Sequence, residues 1–264
     1  MTLSDIDFAR IYREQVARSN RPQREPEYWD RRAQRMSEGS FESSYTQAFV
    51  SRLDLGGCST LLDVGCGPGT VGLSVARRLD HVYGLDFSPG MLAAFEQQAR
   101  ARSISNVTAL RFAWEDDWSA VPVCDVVVAS RATAVRDFEA AALRLARKAR
   151  RRVYLTYPAR GSFVGDQVSR VLGRAYEPLP DYLCVVGILH HLGMHPRLDY
   201  ISDTNRFASC ATVDQFVNKM REYIGELSDA DVGILHDYYA RHERRVRAES
   251  MRWAFIWWET EADG

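Results

Sequence analysis

Thr60-Leu-Leu-Asp-Val-Gly-Cys-Gly-Pro-Gly-Thr70 is the stretch of the chain that decides its fold. An apolar run leads directly into a turn with three glycines, Gly65, Gly67 and Gly69, and a helical pattern begins at Thr70. Because glycine lacks a Cβ, such a turn can adopt left-handed conformations and lets a ligand lie against the backbone. The order of strand, glycine turn and helix predicts a nucleoside cofactor bound at the helix N-terminus.

The spacing of this turn departs from the dinucleotide fingerprint G-x-G-x-x-G. Counted from Gly65, the third glycine of that fingerprint would stand where the chain has Thr70. The segment from Asp63 to Gly69 instead resembles the first motif of the class I S-adenosylmethionine-dependent methyltransferases, in which the turn cradles the amino-acid end of the cofactor. The resemblance implies cofactor contacts from Asp63, Gly65, Cys66, Gly67, Pro68 and Gly69.

A second strand is predicted over His81-Val-Tyr-Gly-Leu-Asp86. Asp86 follows the turn by about 20 residues, which is the offset expected of an acid that bonds ribose hydroxyls in either cofactor class. Ser88 and Pro89 are typical of a helix N-cap and first helical position. The resemblance implies that Met91 lies near the adenine. The predicted contacts here are Asp86, Phe87, Ser88 and Met91.

The third and fourth strands are predicted at Val107 to Phe112 and Cys124 to Ser130. After the third, the resemblance implies adenine contacts from Trp114, Glu115 and Asp116, although many relatives carry Asp where this chain has Ala113. The fourth is almost unbroken in its apolar character, which is typical of a parallel strand buried on both faces. Ligands bind outside the carboxyl ends of such strands, so Ser130 and Arg131 are expected to border the site.

The remaining strands are predicted at residues 153–157, 198–201 and 253–258, and the resemblance makes the last one antiparallel. The expected fold is α/β, with a Rossmann-like seven-stranded, mostly parallel sheet, helices on both faces, an N-terminal helical cap and a helical insertion after strand 5. We expect the cap over residues 1–47 and the S-adenosylmethionine-binding domain over 48–264, with a substrate cap at 161–195.

Two residues of the N-terminal segment are candidates for the cofactor site. In related methyltransferases an N-terminal cap closes over the cofactor, which implies that Trp29 and Arg32 approach it. Arg32 could then pair with the cofactor carboxylate. The alternative is that Trp29 is a packing anchor and Arg32 a surface charge.

Composition limits the other possibilities. The chain has 264 residues, 46% of them hydrophobic, which suffices for one α/β domain and a modest cap. It has no apolar stretch of about 18 residues and no signal-like N-terminus, so we expect a soluble cytoplasmic protein. Five cysteines without a C-x-x-C pair predict reduced thiols. Cys66 is interpreted as a small residue in a crowded turn rather than as a nucleophile.

The formal net charge is -1, which gives no overall attraction to nucleic acid. Two basic runs, at residues 144–152 and 241–247, could be solvated helix faces or nucleic-acid contacts. We favour the first interpretation because no aromatic residue interleaves the first run.

Histidines and aromatic residues supply the catalytic candidates. His191 and His195 have the spacing of a metal pair, but the sequence His-Leu-Gly-Met-His lacks the glutamate of H-E-x-x-H, so no metal is predicted. His190 and His191 could act as a general base or contact the substrate, or could be ordinary helix-end residues. The candidates near the reacting methyl are Arg131, Tyr157, His190 and His191.

The resemblance implies in-line transfer of a sulfonium methyl group to an acceptor. The fourth strand is not followed by the Asn/Asp-Pro-Pro-Tyr/Phe run of many amino-methylating enzymes, and no Pro-Cys pair of the cytosine-C5 type occurs, which favours a small-molecule acceptor. Two other functions stay open. A catalytically silent S-adenosylmethionine-binding protein fits the same motifs, and a nicotinamide oxidoreductase explains Gly65, Gly67 and Asp86 but leaves Pro68 and Gly69 without a role.

Overall fold

Strands and helices form near their predicted places in the computed structural model, which describes residues 2–19, 24–37, 41–159, 165–175, 177–203, 207–248 and 250–260. The strands in these ranges are β1 (Thr60–Val64), β2 (His81–Asp86), β3 (Val107–Arg111), β4 (Cys124–Ala129), β5 (Ala149–Pro158), β6 (Arg197–Asp203) and β7 (Met251–Glu259). The α-helices are α1 (Phe8–Arg18), α2 (Pro26–Ser37), α3 (Ser44–Val50), α4 (Gly72–Val75), α5 (Pro89–Ala101), α6 (Phe138–Lys148), α7 (Gly165–Val171), α8 (Tyr182–His191), α9 (Val213–Ile224) and α10 (Asp229–Ala248).

The strands form one sheet in the order β3-β2-β1-β4-β5-β7-β6. The strands from β1 to β5 pair in parallel, and β7 pairs antiparallel with both β5 and β6. The predicted fold class is therefore confirmed. The strand order reverses between β1 and β4, so the loops that follow these two strands flank the crevice in which open α/β sheets bind ligands.

Apolar side chains cover both faces of the sheet. On one face α1, α6 and α8 pack over residues such as Val127 and Leu155, which are fully buried. On the other face Tyr45 and Phe49 of α3 pack with Phe95 of α5. The predicted boundary between residues 47 and 48 falls inside α3, because the apolar stripe of this helix belongs to the core of the sheet rather than to a separate cap.

Helices α7, α9 and α10 share a third core, built around Phe216, Met220 and Leu235, and we call these three helices the helical lobe. Val168 of α7 is buried in this core, whereas α8 packs on the sheet. The substrate cap predicted over residues 161–195 is therefore not one unit. Its apolar helix α8 is needed to cover the sheet, and residues 161–164 lie outside the described residues.

Several side chains of the first basic run, residues 144–152, form hydrogen bonds within the chain. Helix α6 ends at Lys148, so Arg150 to Arg152 lie on β5 rather than on a helix. Arg144 donates to the carbonyl of Trp114, and the Nζ of Lys148 donates to the carbonyl of Val121 at 2.6 Å. In the second run, arginines pair with acids one turn away along α10. Among the described residues, no helix is long and apolar enough to cross a membrane.

Candidate functional site

The three glycines of the turn after β1 all have positive φ angles, but their surroundings differ. A Cβ on Gly65 would overlap the Cβ of Ala132, and a Cβ on Gly69 would lie 2.7 Å from carbon atoms of Leu73 and Phe95. At Gly67, the nearest atom of the described residues is the Sδ of Met91 at 3.8 Å. Packing therefore demands glycine at the first and third positions, whereas the described neighbours of Gly67 leave room for a Cβ.

Asp86 ends β2 directly beside this space. Its Oδ2 accepts the N–H of Gly67 at 2.9 Å, and its Oδ1 accepts the N–H of Ser88 at 2.9 Å. Burial raises the pKa of this carboxyl, although the backbone donors oppose the shift. An ionised carboxylate has about four lone-pair positions, so it can still accept hydrogen bonds from vicinal hydroxyls. Gly67 and Asp86 thus form a cradle, in which carboxylate oxygens that can accept hydrogen bonds lie beside a glycine turn.

Asp63 and Cys66 are buried and shape the turn from inside the protein. The Oδ2 of Asp63 accepts the N–H of Gly72 at 2.9 Å, at the first residue of α4. Burial raises the pKa of Asp63 to about 7. Burial also raises the pKa of the Cys66 thiol well above its usual value, so this side chain has no thiolate character. Pro68 and Thr70 are buried in the same turn.

Helix α2 docks on the N-terminus of α5, beside Asp86. The Oδ1 of Asp30 accepts the Oγ–H of Ser88 at 2.6 Å and the N–H of Gly90 at 2.8 Å. A Cβ on Gly90 would lie 2.8 Å from the Cα of Asp30, so the close approach of the helices requires glycine there. Sequence reasoning missed Asp30, and the available signal was a glycine in the first turn of α5.

The two candidates on α2 lie in different places. Trp29 packs against the cluster of Met91 and Ala94 on α5, and so lies near the turn. Arg32 donates to Glu222 of α9 at 2.8 Å, and the structure does not bring it to the glycine turn. Helix α2 therefore links the cofactor side of the sheet to the helical lobe.

The segment after β3 lies beside Asp86, whose carbonyl accepts the N–H of Phe112 at 3.2 Å. Asp116 accepts the N–H of Ala113 at 2.7 Å, and the ring of Trp114 stacks on that of Trp118 at 5.4 Å. Arg144 also donates to the carbonyl of Asp116, while Glu115 is exposed. Phe87 is half-buried at the end of β2. These predicted adenine contacts lie on the same edge of the sheet as Asp86.

The loop after β4 is tied to α3 and β5 by hydroxyl groups. The hydroxyl of Tyr45 lies 2.8 Å from the Oγ of Ser130 and 2.7 Å from the Oγ1 of Thr156. Arg131 has a φ of 58°, and its N–H donates to the Oγ1 of Thr156 at 2.9 Å. Tyr157 is fully buried between aromatic rings of the core. Arg131 is the most exposed of these residues, and Ser130 is half-buried.

Helix α8 carries the candidate histidines away from this edge. The hydroxyl of Tyr182, at the start of α8, lies 2.7 Å from that of Tyr200, which is in register with the carboxyl end of β5. The helix then runs towards the opposite edge, where His191 contacts the ring of Phe8 and both His190 and His191 are exposed. In the described part of the chain, no three His, Cys, Asp or Glu side chains form a group that could hold a metal ion.

Comparison with known proteins agrees with this geometry. A methyltransferase domain model matches residues 61–154, which run from β1 to β5 and include the glycine turn, Asp86 and Arg131. The chain belongs to the class I S-adenosylmethionine-dependent methyltransferases. The cofactor of this family is S-adenosylmethionine, so the nicotinamide alternative is set aside.

One relative matches nearly the whole chain. The methyltransferase is 30% identical to an uncharacterized protein of Haemophilus influenzae over 266 residues, with 99% of each chain covered. Its fold is similar to the YcgJ protein of Bacillus subtilis, with a TM-score of 0.55 and 13% identity over 82% of this chain and 97% of that one.

A phosphoethanolamine N-methyltransferase of Haemonchus contortus, solved with phosphomonomethylethanolamine and S-adenosylhomocysteine, gives a TM-score of 0.51. The two chains are 18% identical, and the match covers 81% of the present chain. The present chain spans about half, 52%, of the Haemonchus protein. At such identities the two solved structures support the fold alone.

Proposed function

We propose that the protein transfers the methyl group of S-adenosylmethionine to a small-molecule acceptor by in-line displacement. The observation that carries this proposal is the cradle at the switch point of the sheet. Among the described residues, the nearest atom to a Cβ on Gly67 would be the Met91 Sδ, at an ordinary contact distance of 3.8 Å, and the N–H of Gly67 donates to the carboxylate of Asp86, which ends β2.

The cofactor would be held by the residues that meet at this edge. Asp86 would accept hydrogen bonds from the ribose hydroxyls, and the backbone of the turn would approach the amino-acid end. The segment at residues 114–116, with Met91 and Phe87, would border the adenine. When bound, S-adenosylmethionine supplies a methyl group on a positively charged sulfur, which is already activated towards a nucleophile.

The protein's own part is to hold the acceptor in line, exclude water and, where needed, accept a proton from the nucleophile. No protein nucleophile is required, which agrees with the buried, protonated Cys66. Of the four catalytic candidates, Arg131 lies at the edge that holds the cradle, Tyr157 lies in the core, and His190 and His191 lie at the far end of α8. Arg131 is therefore the candidate that we retain.

A small acceptor is supported by the charges of the chain. The net charge is -1, and Arg144 and Arg151 of the first basic run donate to carbonyl groups of neighbouring loops. We therefore include no nucleic acid among the proposed partners.

The test is a donor-consumption screen. The protein is incubated with S-adenosylmethionine and pools of small phenols, amines and carboxylic acids, with transfer RNA and bulk protein as separate arms, and S-adenosylhomocysteine is measured by liquid chromatography. We expect turnover with at least one small-molecule pool and none with Gly67→Val, whose side chain would fill the cradle. Binding of the cofactor without turnover in any arm would favour the silent binder, and turnover confined to the macromolecular arms would contradict the small acceptor.

A further inference from the structure

We propose that Arg131 recognises an anionic group, a carboxylate or a phosphate, on the methyl acceptor, and that Asp203 is its counterion when no acceptor is bound. This inference rests on the proposed function. It narrows the acceptor to a small molecule that carries a negative charge close to the group that becomes methylated.

The Arg131 side chain is partly exposed, and its guanidinium is poorly partnered. Its side chain is 34% exposed, and the nearest carboxylate oxygen among the described residues, on Asp203, lies 3.6 Å from its Nη1. No hydrogen bond from this guanidinium to another described residue is formed. A guanidinium has five N–H donors in a planar fork that matches a carboxylate or a phosphate.

Other arginines of similar exposure provide the comparison. Arg32, Arg52 and Arg174 have side chains that are 28%, 33% and 35% exposed, and they hold carboxylates at 2.8, 2.8 and 2.7 Å. At equal burial, arginines elsewhere in this chain thus form full hydrogen bonds to an acid. Arg131 differs because its donors remain available to a ligand.

Contacts within the chain also hold the Arg131 guanidinium in place. Arg131 has a φ of 58°, an uncommon conformation for a residue with a Cβ, and strained backbone of this kind is frequent at functional sites. The N–H bond to Thr156 stabilises the conformation, and the guanidinium carbon lies 4.2 Å from the centre of the Tyr45 ring. Contacts from α3, β5 and β6 therefore preorganise one guanidinium.

Arg131 also lies close to the cofactor turn. The residue after Arg131, Ala132, packs directly against Gly65 of the cofactor turn. The partners of Arg131 lie on β5, on β6 and on α3, whereas Asp86 and Met91 lie on the β2 side of the turn. The guanidinium is thus next to the turn but on the side away from the ribose cradle, where an acceptor would bind.

The roles of the two partners lead to opposite effects of substitution. Arg131→Gln removes the charge and most of the donors, so anion binding is lost. Asp203→Asn keeps the shape of the counterion but removes its charge, so an incoming anion no longer competes with it and binds more tightly. A merely structural ion pair would not produce changes of opposite sign.

The experiment is isothermal titration of inorganic phosphate, and separately of succinate, into protein saturated with S-adenosylhomocysteine, at ionic strength held constant with chloride. We expect Arg131→Gln to weaken anion binding roughly tenfold or more, because charge-assisted hydrogen bonds are lost. Asp203→Asn should tighten it by roughly threefold, as expected for a partly exposed ion pair. Arg52→Gln, which breaks an equally exposed ion pair, is the matched control and should leave it unchanged.

The competing source of the anion is the carboxylate of the cofactor itself. Titration of Arg131→Gln with S-adenosylhomocysteine and with 5′-methylthioadenosine, which lacks the amino-acid part, separates the two. If Arg131→Gln binds S-adenosylhomocysteine more weakly but 5′-methylthioadenosine normally, Arg131 holds the cofactor carboxylate and the proposal is overturned. Anion binding that is unchanged in both Arg131→Gln and Asp203→Asn would also overturn it.

Failure of the proposed function is distinguishable from failure of this inference. It appears as absent S-adenosylhomocysteine binding in the wild-type protein, and the anion titrations are then repeated without it. If Arg131→Gln does not fold, Asp203→Asn still decides, because unchanged anion affinity in that variant contradicts the proposed exchange of partners.

Discussion

Replacement of Gly67 by alanine separates the needs of the fold from those of the ligand. Gly67 has a φ of 53°, so any residue with a Cβ is strained there. A left-handed conformation costs about 1 to 2 kcal/mol for such a residue. The added methyl group would meet the Met91 Sδ at 3.8 Å, an ordinary contact, so no further penalty arises within the described protein. We therefore expect Gly67→Ala to fold with a small loss of stability.

Binding should suffer far more than folding. The methyl group would project into the space that the cradle leaves for the cofactor, so we expect S-adenosylhomocysteine to bind at least about tenfold more weakly, or by about 1.4 kcal/mol. Gly193→Ala is the matched control. Gly193 has a φ of 74°, no atom of the described residues lies within 4 Å of the added Cβ, and the residue follows α8, so the variant carries the same strain without touching the turn.

Gly65→Ala gives the opposite pattern. Its Cβ would overlap that of Ala132, so overpacking adds about 1 to 3 kcal/mol to the strain, and stability falls further than in Gly67→Ala. Urea denaturation and calorimetric titration with S-adenosylhomocysteine are measured on all three variants. Wild-type affinity in Gly67→Ala, or an equal loss of affinity in Gly193→Ala, would show that Gly67 does not face the cofactor.

Three further predictions concern the acids around the turn. Asp86→Ala should weaken S-adenosylhomocysteine binding by about 1 to 3 kcal/mol in calorimetric titration; unchanged affinity would discard its assignment to the ribose. The pKa of Asp63 is about 7 in the folded protein and 3.8 ordinarily. Between these values the unfolded chain loses this proton more readily than the folded protein does, so the stability of the fold decreases as pH rises. The urea midpoint of unfolding should therefore decrease less in Asp63→Asn than in the wild type as pH rises from about 4 to 7. An equal decrease in both proteins would contradict a raised pKa at Asp63. Asp30→Ala removes the acceptor for Ser88 and Gly90 and should cost about 1 kcal/mol of stability, with faster tryptic cleavage of α2; equal cleavage rates would argue against this docking.

The central strands and the cradle could be predicted because their signals are local. The glycine turn follows an apolar strand, and Asp86 ends the next one, so each is visible within a short window of sequence. The N-cap at Ser88 was equally visible, and its Oγ accepts the N–H of Met91 as predicted. The antiparallel direction of β7 came from the family resemblance and is confirmed.

Features that depend on contacts between distant segments could not be read from the sequence. The pairing of Arg32 with Glu222 joins residues 190 positions apart, and nothing near Arg32 indicates which acid it meets. Asp30 gave no signal of its own because a helical acid is usually solvated. The direction of α8, which removes His190 and His191 from the site, depends on how that helix packs against α1 and the sheet.

The most direct test of the central claim is calorimetric titration of the purified wild-type protein with S-adenosylmethionine and S-adenosylhomocysteine. We expect a single site with micromolar affinity for both compounds, weakened in Gly67→Ala and retained in Gly193→Ala. No binding of either compound to protein shown to be folded by circular dichroism would contradict the assignment of the cradle and, with it, the proposed methyl transfer.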